Sequence, residues 1–230
     1  MPILTTLVAK QFLDSNSANS PSPDSTKDQP MTKTLALATA TLFLLSTPAI
    51  AQAITDPSTV KAGNYALESS HARVAFGVDH MGLSTWYGDF TGAKGTLILD
   101  PANISASKLE ITIPAASITT TNAIVDGELK SWFDVTKFPT ITFKSTAVTS
   151  MGKDTAKVTG DLTFHGVTKP VTLDVKFHGA GPNAMSKAYT VGFDATGSLM
   201  RSDYGVKKYV PVVGDKVDLF ISAPFEKKPG

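Results

Sequence analysis

An all-β fold of antiparallel strands with one short helical excursion is what this 230-residue sequence predicts, and three observations carry that reading. From Tyr65 onward apolar and polar residues alternate with period two, the signature of strands with one dry and one wet face. The alternating runs are short, eight to ten in number, and separated by turns with no βαβ pattern, as in a sandwich or a closed barrel. One stretch, 115–139, breaks the rhythm with helical spacing.

In HARVAFGVDH (71–80), Ala72, Val74, Phe76, Val78 and His80 share a face. STWYGDF (84–90) groups Trp86, Gly88 and Phe90, and GTLILD (95–100) groups Gly95, Leu97 and Leu99. KLEITIP (108–114) turns Leu109, Ile111 and Ile113 inward. Val125, Leu129 and Phe133 then recur at helical spacing behind Asn122, a good N-cap, which predicts a short helix over 123–132 that ends before Pro139. Strand rhythm resumes in TITFKSTAV (140–148), with Ile141, Phe143, Ser145 and Ala147 inward. The hairpin GDLTFHGVTKPVTLDVKFHG (160–179) sets Leu162 and Phe164, then Val171, Leu173, Val175 and Phe177, against polar partners. AYTVGFDATGSLMR (188–201) aligns Tyr189, Val191, Phe193, Ala195, Gly197, Leu199 and Arg201, and KVDLFISAPF (216–225) aligns Val217, Leu219, Ile221 and Ala223.

The front of the chain is of another kind. MTKTLALATATLFLLSTPAIAQA (31–53) places Lys33 before the apolar run Leu35–Leu45 and follows it with small residues. Ala49-Ile50-Ala51 and Ala51-Gln52-Ala53 both fit the A-x-A cleavage pattern, so the stretch reads as a secretory signal peptide cut after Ala51 or Ala53. Its apolar run is short for a bilayer span, and no Cys follows the cut, so no stable membrane anchor is expected. Residues 1–30 are polar and disorder-prone. We expect Met31 to be the true start, the first thirty residues to be a gene-model extension, and 54–230 to be the working domain in the periplasm.

Lys and Arg number 21 against 20 Asp and Glu, a formal net charge of +1, which gives no basic surface of the kind nucleic acid requires. Cysteine is absent, so disulfides, thiolate nucleophiles and Cys-based zinc sites are excluded. The four histidines, 71, 80, 165 and 178, form no HxH or HExxH pattern, and alternation puts all but His80 on wet faces. No nucleophile elbow, P-loop or dinucleotide fingerprint is present, and the chain reads as a binding protein without catalytic residues, metal or cofactor.

The pattern leaves two interiors open. Small residues recur on the inward faces (Ala72, Gly88, Gly95, Ala147, Ala156, Gly160, Ala195 and Gly197), and at about eight strands a barrel either just fills itself or holds one small ligand. Small residues also serve a tapering, solid barrel or strand bending. His80 and Arg201 close two inward rows with polar groups. Arg201 should meet an anion or backbone carbonyls near a rim, either as a polar mouth for a lipid head or in an internal salt bridge with Asp203 or Asp79.

The stretches SSHARVAFGVDHMG, YGDF (87–90), DGELKSWFDVTKFPTITFKST (126–146), GDLTFHGVTKPV (160–171) and LMRSDYG (199–205) together resemble the YceI-like family, from about Tyr65 to Phe225. One departure is that the family pattern D-x-x-H-S reads Glu68-Ser69-Ser70-His71-Ala72 here. The resemblance implies an extended antiparallel lipocalin-like β-barrel, periplasmic or secreted, that holds a polyisoprenoid or related amphiphile, quinones included. It also implies a homodimer, and it brings no catalytic residue set. The tail of such a lipid is expected against Phe76, Val78, Leu97, Ile111, Ile141, Phe143, Leu162, Phe164, Val175, Phe177 and Phe193. Its head is expected near His80, Trp86, Tyr189 and Arg201. Carriage, storage or sequestration of the lipid all fit. The competing readings are a solid-core interaction module and, further off, an enzyme acting on a lipid or quinone head group.

Overall fold

The computed structural model describes residues 53–229; the predicted signal peptide and the upstream extension lie outside the described residues but for Ala53. Among the described residues there are eleven strands and one α-helix, against the eight to ten strands that the alternation predicts. They are β1 (Gly63–Leu67), β2 (Arg73–His80), β3 (Ser84–Phe90), β4 (Lys94–Leu99), β5 (Lys108–Pro114), β6 (Ile118–Thr119), α1 (Ala123–Trp132), β7 (Thr140–Ser150), β8 (Thr155–Phe164), β9 (Val167–Pro182), β10 (Tyr189–Met200) and β11 (Val213–Lys227).

Strands β1, β4, β5, β7, β8, β9, β10 and β11 pair in that order, and β11 returns to β1, closing an eight-stranded antiparallel lipocalin-like barrel. Long β11 bridges two partners on one flank: Phe225–Lys227 pair with β1, while Val213–Ser222 pair with β2. The β2–β3–β6 ladder therefore prolongs the wall beside β11. Closure pairs both edges of the eight-stranded sheet and leaves an edge only on the β3–β6 side.

Local sequence sets the joints. Asn122 Oδ1 accepts from the Ile124 and Val125 N–H groups and caps α1 as its position predicts. His165 (φ 50) and Gly166 (φ 75) form the two-residue β8–β9 turn, where both central residues need positive φ. His165 is thus a turn residue, not part of a wet strand face. It is half-buried, with Nδ1 2.9 Å from the Tyr204 carbonyl oxygen and its ring edge-on to Phe138.

Two bulges correct the simple count by twos. In β7 the register shifts between Ser145 and Ala147, so Thr146 is an extra residue. Ala147 therefore faces solvent and Val148 takes the inward place. In β9 the extra residue is His178, and Ala180, beyond it, is buried again.

One end of the barrel carries the β2–β3 and β8–β9 turns, α1 and the β10–β11 loop; we call it the helical end. Aromatic contacts tie these pieces together: Phe133 meets Phe164 at 5.0 Å, Phe164 meets Tyr204 at 5.8 Å, and Trp132 meets Tyr209 at 5.5 Å. The opposite end carries the β7–β8 and β9–β10 turns.

Candidate functional site

Inward rows from both flanks and α1 surround a cavity of about 300 Å³. Its lining is apolar except for Ser107, Lys108, Arg201 and Ser222. The barrel interior is hollow, with a volume in the range of small-molecule sites and lined as such sites usually are. β11 alone contributes from Val213 to Phe225, which at about 3.3 Å per residue and a tilt near 40° spans roughly 30 Å along the axis. The space is long and narrow.

The small inward residues divide into two kinds. Ala72, Ala156 and Ala195 line the cavity. The glycines do not. A β-carbon on Gly88 would stand 2.4 Å from the Phe76 ring, one on Gly95 2.4 Å from Ile111 Cδ1, one on Gly160 2.5 Å from the Phe143 ring, and one on Gly197 2.7 Å from Leu173 Cδ2. Each glycine is a seat on which a large neighbour lies flat along the wall. They widen the tube indirectly, because Phe76 and Phe143 rest against backbone and leave the axis clear.

Of the residues singled out for a lipid tail, Phe76, Val78, Leu97, Ile111, Ile141, Phe143, Leu162, Phe164, Val175 and Phe193 border the cavity. Phe177 does not. It is buried edge-on to Phe193 and faces a separate cleft of about 320 Å³ at the opposite end, beside the Asp56–Lys153 ion pair. Helix α1 adds Leu129 and Trp132, with Phe133 just after it, and the bulged strand adds Val148; none of these was singled out from the sequence. The helical spacing of Leu129 and Phe133 was the available signal for the helix. Nothing local announced Val148.

The four residues proposed for a polar head are not brought together. Arg201 borders the cavity at the helical end, 7 % exposed, with its guanidinium committed to backbone. Nε donates to the Gly214 carbonyl, one terminal nitrogen to those of Val206 and Lys208, and the other to that of Val213, at 2.7–2.9 Å. Four of its five N–H groups are thereby used. Burial pushes Arg201 below the usual arginine range and nearby Asp215 opposes this. Neither Asp203 nor Asp79 is its partner: Asp203 pairs with Lys169, and Asp79 accepts from Gly82 N–H.

His80 and Trp86 sit side by side at the same end, rings 5.4 Å apart, but off the cavity wall. The β2–β11 register shifts between the Val78–Val217 and His80–Val213 pairs, and the inward row that includes Val78 does not continue to His80. Trp86 Nε1 is buried without a hydrogen-bond partner. Tyr189 lies at the opposite end, where β10 begins, under the Lys61 ammonium at 4.6 Å. Its hydroxyl is also buried and unpartnered; burial, with Tyr189 adding to it, pushes the neighbouring Tyr65 phenol up to about 12.

Glu68 stands where the family pattern has Asp, and it closes the turn before β2. Its carboxylate accepts from the Ser70 hydroxyl and from the Ser70 and His71 N–H groups, and it contacts the His71 ring. Burial works against ionisation there, but these hydrogen bonds win and hold Glu68 down to about 2. His178 pairs with Asp194 on the outer surface. Among the described residues no three His, Asp or Glu side chains converge as a metal site.

A family model described as the YceI-like domain matches residues 65–225. A UPF0312 protein of Ectopseudomonas mendocina is 39% identical over 165 residues, 70% of this chain and 86% of the relative. Another from Pseudomonas syringae pv. syringae is 38% identical over 182 residues, covering 77% and 94%. Among solved structures, a Campylobacter jejuni YCEI protein superposes with a TM-score of 0.58 at 29% identity, over 66% of this chain and 90% of that one. Burkholderia cenocepacia BcnA gives 0.63 at 24%, over 69% and 98%. A polyisoprenoid binding domain from Saccharophagus degradans gives 0.55 at 14%, over 73% and 100%, a likeness of fold alone.

Proposed function

The chain belongs to the YceI-like family, and from that premise we propose that it binds the long apolar chain of an isoprenoid-type lipid inside its barrel. The observation that carries this reading is the continuous apolar cavity, bordered by both flanks of the barrel and by α1. A polyisoprenoid is the ligand named for the Saccharophagus degradans domain, whose fold this chain shares. Each methylene moved from water into the cavity contributes about 0.8 kcal/mol, so a long tail needs few polar contacts to bind tightly. Arg201, with one N–H uncommitted, is the only one of the four head candidates that borders the space.

The wider reading is a periplasmic carrier, store or sink for such a lipid, exported by the signal peptide and working without cofactor or turnover. Purification from the native host, organic extraction and mass spectrometry should release a prenyl lipid at near-stoichiometric amounts. Repeated empty extracts, with added solanesol also failing to bind, would overturn the reading. Periplasmic fractionation and an N-terminus following Ala51 or Ala53 test the location separately.

A further inference from the structure

We propose that the rim of the helical end is a docking surface for an anionic lipid bilayer. Two segments build it. The β2–β3 turn presents Met81 and Leu83, 55% and 85% exposed, and the β10–β11 loop presents Tyr209 and Val212, 55% and 56% exposed. They are joined: Met81 N–H donates to the Val212 carbonyl at 2.9 Å, and Val213 N–H donates to that of Tyr209 at 2.7 Å. Large apolar side chains clustered this way on a surface mark an interaction site.

Charge selects the partner. Lys207 and Lys208 are exposed within the same loop, and residues 204–214 and 80–86 contain no acid. The flanking carboxylates are engaged: exposed Asp79 accepts from Gly82 N–H, exposed Asp203 pairs with Lys169, and half-buried Asp215 accepts from Ser202 N–H and its hydroxyl. Apolar and aromatic groups interleaved with lysines, in two segments that themselves contain no acid, fit the headgroup region of an anionic membrane. A protein partner of ordinary composition would not require this one-signed charge.

The rim is held rigid and lies next to the cavity. The Arg201 guanidinium grips the carbonyls of Val206, Lys208, Val213 and Gly214, so the loop is fixed at both of its ends. Met81 (φ 64) and Tyr209 (φ 62) sit in the left-handed region, a conformation that persists only where surroundings enforce it. Trp132 borders the cavity on one side, and Tyr209 lies edge-on to it at 5.5 Å, with the Lys208 ammonium over both rings. A single layer of side chains separates lumen from rim, so docking would set the cavity against the bilayer that holds its lipid.

The test is co-sedimentation of the mature chain with vesicles of phosphatidylglycerol and phosphatidylethanolamine, and separately with phosphatidylcholine alone. Binding to the anionic vesicles is expected, weaker at high salt. The double variant Lys207→Ala/Lys208→Ala should bind about thirty-fold more weakly, from about 1 kcal/mol per lysine near such a surface. Leu83→Glu should bind at least ten-fold more weakly, with thermal stability and extractable lumen lipid unchanged. No binding by the parent, equal binding to phosphatidylcholine, or variants that match the parent would each overturn the proposal. An empty lumen alongside rim-dependent vesicle binding would overturn only the lipid-chain reading above.

Discussion

Ala195→Trp places an indole at the centre of the proposed lipid path. Ala195 lies on β10 opposite Ile221 of β11 and Val175 of β9, and all three border the cavity. An aromatic side chain of this size buries about 150–250 Å², and at ~25 cal/mol per Å² its contact with the walls is worth about 5 kcal/mol. A tail excluded from the same surface loses a similar amount. With 1.4 kcal/mol per tenfold, that is more than three orders of magnitude in Kd. The cavity of about 300 Å³ has room for the ring, so thermal stability should hold or rise. Native mass spectrometry with solanesol, beside a thermal melt, reads both quantities. A well-folded variant that binds solanesol as tightly as the parent would refute a site in the lumen.

Gly160→Ala should destabilise by about 1–3 kcal/mol, read by chemical denaturation, because the new methyl meets both the Phe143 ring and the Lys144 carbonyl oxygen at 2.5 and 2.6 Å. Arg201→Lys should lose about 2–4 kcal/mol by the same measurement, since one ammonium cannot satisfy four carbonyls spread around a planar fork. If Arg201 served only a ligand head, the apo protein would keep its stability. Glu68→Gln should lower stability at pH 7 by an amount on the order of 1 kcal/mol, discounted for a His71 partner that is 79% exposed. The Glu68 carboxyl is depressed in the folded state, so its contribution is present above its ordinary value of 4.5 and is lost as pH falls towards about 2. Parent and variant stability curves should therefore converge in acid; a gap that persists at pH 2 would contradict the assignment.

Much of the scaffold was legible because period two and period 3.6 are local properties. The limits of β3 and β5, and α1 with its Asn122 cap, follow from residues within a few positions of each other. The bulge at Thr146 was hidden, since an extra residue in a ladder is decided by the neighbouring strand. The role of the glycines stayed open for a related reason: Gly88 and Gly160 look like empty space until Phe76 and Phe143 are seen lying on them. His80 and Arg201 both closed inward rows in the sequence, yet one leaves the wall where the register shifts and the other turns to a loop whose path no alternation describes. Tyr189 shares a strand face with Arg201 but stands at the far end, because a face says nothing about depth.

The seam where β1 meets β11 joins the first strand of the domain to its last. Contacts between such distant parts of a chain are the slowest to form. Until Phe225, Glu226 and Lys227 find Leu67, Ala66 and Tyr65, the sheet is an open ribbon with its greasy side bare. A chain cut short by a handful of C-terminal residues would keep nearly all its hairpins and still be unable to seal, leaving it prone to stick to its own copies. The last few residues thus act as the clasp of the whole vessel.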